Sequence, residues 1–79
     1  MDRTLTRRHL AEAERTVALG QSHLERQFRI IAELERRGHD ATGARDLLVI
    51  FLAIQAQHEA HRDQLLEELN LLKELNGLH

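Results

Sequence analysis

Apolar residues recur along this chain at alternating spacings of three and four, the pattern of helices that bury one stripe against a partner. In the first half Leu10, Val17, Leu24 and Ile31 form one heptad series, with Ala13, Gly20, Gln27 and Leu34 interleaved. In the second half Leu48, Gln55, Arg62 and Leu69 form one series, and Phe51, His58, Leu65 and Leu72 the other. Between them lies the segment Gly38-His39-Asp40-Ala41-Thr42-Gly43. Gly38 follows Arg36 and Arg37 and suits the left-handed position that ends a helix, where basic residues complement the helix dipole. Asp40 can cap the next helix, with Thr42 as the alternative, and Thr4 or Thr6 can cap the first. The pattern predicts helix one over about 4–37, a loop at about 38–40 and helix two over about 41–76. The expected fold is all-α: a single coiled-coil-like antiparallel hairpin over residues 1–79.

Folding the chain at residue 39 brings the two stripes into phase. Leu10 then faces Leu69, Val17 faces Arg62, Leu24 faces Gln55 and Ile31 faces Leu48. The interleaved layers pair Ala13 with Leu65, Gly20 with His58 and Gln27 with Phe51. A slip of half a heptad keeps the same stripes in contact, so the pattern sets the seam and leaves its facing open.

One seam does not use all the apolar residues. Leu47 to Ile54 is apolar on every side of a helix, and such a helix is buried all round. Leu19, Phe28 and Ile30 lie outside the seam of helix one, and the leucines from Leu65 to Leu75 exceed a single stripe. Surfaces of that extent mark association, and small chains often complete their cores by oligomerising. The expected assembly is a four-helix bundle of two hairpins, as a dimer or a tetramer. Its expected interface is Phe28, Val49, Ile50, Leu52, Ile54, Leu66, Leu69 and Leu72.

Composition narrows the alternatives. The 79 residues carry 11 Lys plus Arg and 13 Asp plus Glu, a formal net charge of −2, which gives no general attraction to nucleic acid or anionic membranes. Cysteine is absent, removing disulfides and thiol chemistry. No apolar run approaches the ~20 residues of a membrane span. Arg7 and Arg8 have no apolar stretch behind them, unlike a secretion signal, so a cytoplasmic address is expected.

Four polar side chains fall on the seam: Gln27, Gln55, His58 and Arg62. They are expected to form a polar core layer that fixes register, as a buried Asn does in coiled coils; the alternative is a ligand or metal pocket between helices. Gly20 leaves room for the His58 imidazole, and Arg62 calls for an anion such as Glu14, Asp63 or a group on a dimer mate. The histidines are His9, His23, His39, His58, His61 and His79. His58 and His61 are three apart, not four as in the zinc-peptidase pattern, and no helical histidine has the glutamate of a di-iron Glu-x-x-His motif. No resident metal or cofactor is expected, although a transition metal could bridge His58 and His61 across a dimer. Protonating a seam histidine would make the assembly sensitive to pH.

Arg8, Arg15, Arg29 and Arg36 share one outer heptad position, interrupted by Ser22. Read sharply, this is a phosphate-tracking ridge, as in a ROP-like RNA-binding hairpin dimer. Glu12, Glu25 and Glu33 stand at ion-pair spacing from these arginines, and no Tyr or Trp supplies a stacking platform. The plainer reading is a solvated face without a nucleic-acid partner. Phosphate loops, nucleophile elbows and catalytic triads are missing, so no enzyme activity or small-molecule substrate is expected.

The segments His9-Leu10-Ala11-Glu12-Ala13-Glu14-Arg15, Ile31-Ala32-Glu33-Leu34-Glu35-Arg36 and Gly38-His39-Asp40, continued through Phe51, Gln55, His58 and Arg62-Asp63, carry a likeness. On these residues the chain resembles a set of small proteobacterial helical proteins without an established activity. The resemblance implies a helical hairpin and no particular chemistry. Members of the set often carry Glu at the position of Gly43 and are more polar around Leu52 to Ile54, which implies stronger association here. The function expected from the sequence is a self-associating interaction or scaffolding module whose partner is itself or another helical protein. The alternatives are an RNA-binding hairpin dimer and a ligand- or metal-binding bundle.

Overall fold

A computed structural model describes residues 3–77. It contains two helices, α1 (Arg3–Arg36) and α2 (Thr42–Gly77), packed along each other as a hairpin. The molecule is a rod of 65 × 15 × 14 Å. Both helices begin and end within a residue of the expected limits at the turn. Thr4 and Thr6 fall inside α1, and Thr6 sits buried on the seam one turn before Leu10. His79, the last of the six histidines, lies outside the described residues.

The turn works as its residues dictate. Gly38 has φ 71°, a region costly for any residue with a Cβ. Its amide donates to the Glu35 carbonyl at 3.0 Å, and the His39 amide donates to the Leu34 carbonyl at 2.9 Å. These two bonds form a Schellman motif, which satisfies carbonyls left open at the end of α1. Across the turn, Asp40 Oδ1 accepts the Thr42 amide at 3.0 Å and the Thr42 hydroxyl at 2.6 Å. The two candidate caps therefore act together: Asp40 accepts and Thr42 donates. The Thr42 hydroxyl and amide, with Arg45 nearby, hold the Asp40 carboxyl below its ordinary range.

The hairpin buries the expected stripes. Leu10, Ala13, Leu65 and Leu69 form a cluster at the open end, and Ile31 and Ala41 are buried near the turn. Leu69 and Leu72, expected at the oligomer interface, belong instead to this internal seam: Leu69 is 7% exposed and Leu72 is half-buried. Leu69 continues the heptad series of Gln55 and Leu72 that of Leu65, the two series that face α1.

The facing of the layers differs from the fold about residue 39. Gln55 lies against Gly20 rather than Leu24, and its amide donates to the Val17 carbonyl at 2.9 Å. Gln27, expected opposite Phe51, donates to the Ala44 carbonyl at 2.8 Å. The layers are slipped by half a heptad, so that Leu10 is level with Leu65 and Gly20 with Gln55. Side chains on both helices lean toward their own N-termini, and interleaving two such sets places each series of one helix between layers of the other.

Gly38→Ala should lower unfolding stability by about 1 kcal/mol, measured by urea denaturation, because alanine resists the left-handed conformation. Asp40 has its carboxyl lowered in the folded state, so its contribution is present above the unfolded value and lost as pH falls through the folded one. Asp40→Ala should therefore flatten the acid limb of the stability profile, and an unchanged limb would count against this cap.

Candidate functional site

The middle of the hairpin is shaped by one missing side chain. Gly20 stands on the seam where the pattern elsewhere places an apolar residue, and a Cβ there would overlap the Gln55 amide oxygen. Glycine in a helix costs about 1 kcal/mol relative to alanine; here the close approach of Gln55 to α1 requires it. The Gln55 side chain is buried with its nitrogen bonded to Val17, while its Oε1 has no hydrogen-bond partner.

Beside this contact the helices leave an open cleft of about 310 Å³. Thr16, Leu19, Gly20 and His23 line it from α1, and Phe51, Ile54, Gln55 and His58 from α2. Its surface is mainly apolar. No candidate nucleophile here has a base within hydrogen-bonding distance, and the cleft brings no set of acids together. Among the described residues, no group of three or more His, Asp or Glu side chains is placed to hold a metal ion.

The four expected polar core residues do not form one layer. Gln55 covers Gly20, whereas Gln27 lies one heptad nearer the turn and bonds a different carbonyl. Both glutamines are buried at 5% exposure, but His58 and Arg62 are only half-buried. Gly20 makes room for the amide of Gln55 rather than for the imidazole of His58. Arg62 pairs with neighbouring Asp63, Nη2 to Oδ1 at 3.0 Å; no group on α1 is needed to neutralise it. The buried layer reduces to two glutamines, each donating its side-chain amide nitrogen to a helix carbonyl across the seam.

No family model matches the chain, and neither a curated protein nor a solved structure does. What the chain can do is therefore read from its own surface.

That surface has two unlike flanks. Heptad spacing puts Leu19 and Ile54, which line the cleft, on the same flank as Leu5, Ile30, Leu47, Ile50, Leu71 and Leu75. All of these are exposed, with Ile50 at 55% and Leu19 at 60%. Phe28, Val49, Leu52 and Leu66 are also exposed but fall on the opposite flank. The expected interface residues thus divide into an extended apolar flank around the cleft, a smaller cluster behind it, and Leu69 and Leu72 within the seam. Leu19, Ile30 and Leu47 already stand outside the seam as apolar excess in the sequence, and Leu5 is the member of the larger flank that sequence reasoning missed. Its regular spacing from Thr16 and His23 was the available signal.

The arginine ridge is less paired than its spacing predicts. Arg36 is bound by Glu33 at 2.6 Å, and Arg37 reaches the same carboxylate at 2.8 Å. The spaced partners of Arg8, Arg15 and Arg29 are not within ion-pair distance, among the described residues. Across the turn, Arg45 meets Glu35 at 3.5 Å. These are exposed pairs and contribute little to stability.

The Gly20 and Gln55 contact makes a quantitative prediction. In a Gln55→Ala background, Gly20→Ala should stabilise by about 1 kcal/mol through helix propensity. With Gln55 present the new Cβ displaces the amide from the Val17 carbonyl, which should cancel or reverse that gain. A double-mutant cycle by urea denaturation should give a coupling of about 1 kcal/mol or more; additivity would show that the two residues do not meet.

Proposed function

We propose that this hairpin is a self-associating interaction module, and that two copies pack through the apolar flank around the cleft to form a four-helix bundle. The observation that carries this reading is the row of exposed aliphatic side chains along that flank: Leu5, Leu19, Ile30, Leu47, Ile50, Ile54, Leu71 and Leu75. Exposed aliphatic side chains in this number along one side of a small chain are disfavoured in water and are typical of association sites.

Two magnitudes support it. The hairpin exposes 6009 Å², whereas a compact monomer of 9.2 kDa exposes about 4,900 Å². The difference, about 1,100 Å², is comparable to the ~800 Å² that one partner buries in a standard interface. The internal core is also thin. Its buried apolar members are Leu10, Ala13, Ile31, Ala41, Leu65 and Leu69, and no described large side chain is fully enclosed. A second copy would enclose Phe51 and Ile54 and fill the cleft that Gly20 leaves open, adding the burial that a chain this small lacks.

The function of such a module is to hold two chains, and whatever they are joined to, in a fixed relation. Its chemistry is surface burial.

Light scattering in line with size exclusion should give twice 9.2 kDa for the wild-type chain. Ile50→Asp and Ile54→Asp should each convert it to the monomer, since an unpaired carboxylate would be buried in the interface. Val49→Asp, on the opposite flank, should leave the mass unchanged. A wild-type monomer, or dimers in both isoleucine variants, would overturn the assignment.

A further inference from the structure

The orientation of the second copy follows from where the charges lie. α1 carries seven arginines against five glutamates, and α2 carries three cations against six carboxylates. The asymmetry is sharpest at the outermost heptad position. On α1 that position holds Arg8, Arg15, Ser22, Arg29 and Arg36; on α2 it holds Asp46, Ala53, Ala60, Glu67 and Glu74. The register set by Gln55 over Gly20 puts Arg8 level with Glu67, Arg29 with Asp46, and Ser22 with Ala53. Within one hairpin these two ridges point away from each other, so the matched levels have no use inside the monomer.

Two face-to-face arrangements of the apolar flanks have two-fold symmetry. With the axis along the rod, both turns lie at one end and α1 of each copy packs on α2 of the other. With the axis across the rod, the turns lie at opposite ends and each helix packs on its own copy. The second arrangement sets arginine ridge beside arginine ridge and acidic ridge beside acidic ridge. The first sets Arg8 beside Glu67 of the second copy and Arg29 beside Asp46 of the second copy.

We infer that the partner of this flank is a second copy of the chain docked with its turn at the same end, α1 against α2, the two-fold axis running along the rod. This rests on the self-association proposed above. The arrangement gives all four helices neighbours of opposite charge, which selects it against the inverted dimer as charged flanks select pairing in coiled coils.

The absence of cysteine allows a clean test. His39 lies at the turn with an exposed side chain, and only its backbone amide is bonded. A spin label on His39→Cys should report a separation of about 20 Å in the dimer, two helix diameters, by pulsed dipolar spectroscopy. A separation near the 65 Å length of the rod would overturn the orientation while leaving the dimer standing. A mixture of both distances would overturn a single orientation. No dipolar coupling, with a monomeric mass by light scattering, would overturn self-association itself and the orientation with it.

Discussion

The contact between Gln55 and the Val17–Gly20 turn of α1 sets the geometry of this molecule. Two parallel stripes of side chains fix which faces meet but leave their longitudinal offset soft, since sliding by half a heptad presents an equally apolar surface. A buried amide is not indifferent to such a slide. The Gln55 nitrogen bonds the Val17 carbonyl, and the flat side chain fits only where α1 has no Cβ. Moving the helices would bury the amide without a partner, at a cost larger than the gain from any single apolar layer. Gln27 and Ala44 repeat the device one heptad nearer the turn.

The close approach that fixes the register also limits the core. Alanine and glycine at Ala13, Gly20 and Ala41 bring the backbones together and leave few large side chains to enclose. Aliphatic residues that might have filled a wider seam stand instead on the flanks, with Leu19 and Ile54 at the edge of the cleft. The structure thus has a tight, partly polar hinge line along its centre and an apolar surface beside it. The proposed second copy would use that surface, and the cleft would receive side chains that the hairpin's own helices do not supply.

Charge is segregated in the same economical way. The turn is held by local groups: the Schellman bonds after Gly38 and the Asp40 carboxylate on Thr42. The arginine ridge of α1 and the carboxylates of α2 take little part in holding the hairpin, because they face opposite directions. Exposed charges of this kind contribute little to folding but strongly affect which surfaces can come together. That is the basis for assigning them to orientation in an assembly rather than to stability of the fold.

The sequence by itself determined the helices, the turn and the seam. Each depends on local chemistry or on a period: the left-handed glycine, the capping carboxylate, and the heptad series from Leu10 to Ile31 and from Leu48 to Leu69. It also made the apolar excess of Leu47 to Ile54 visible, since composition alone shows that one stripe cannot bury it. Tertiary structure decided the offset of the two helices, and with it the neighbour of Gly20, the separation of Gln27 from Gln55, and the burial of Leu69 and Leu72 inside the hairpin. Periodicity is unchanged by a half-heptad slide, whereas side-chain lean and a single buried hydrogen bond are not, so only the packed structure could choose among arrangements that the pattern treats as equal.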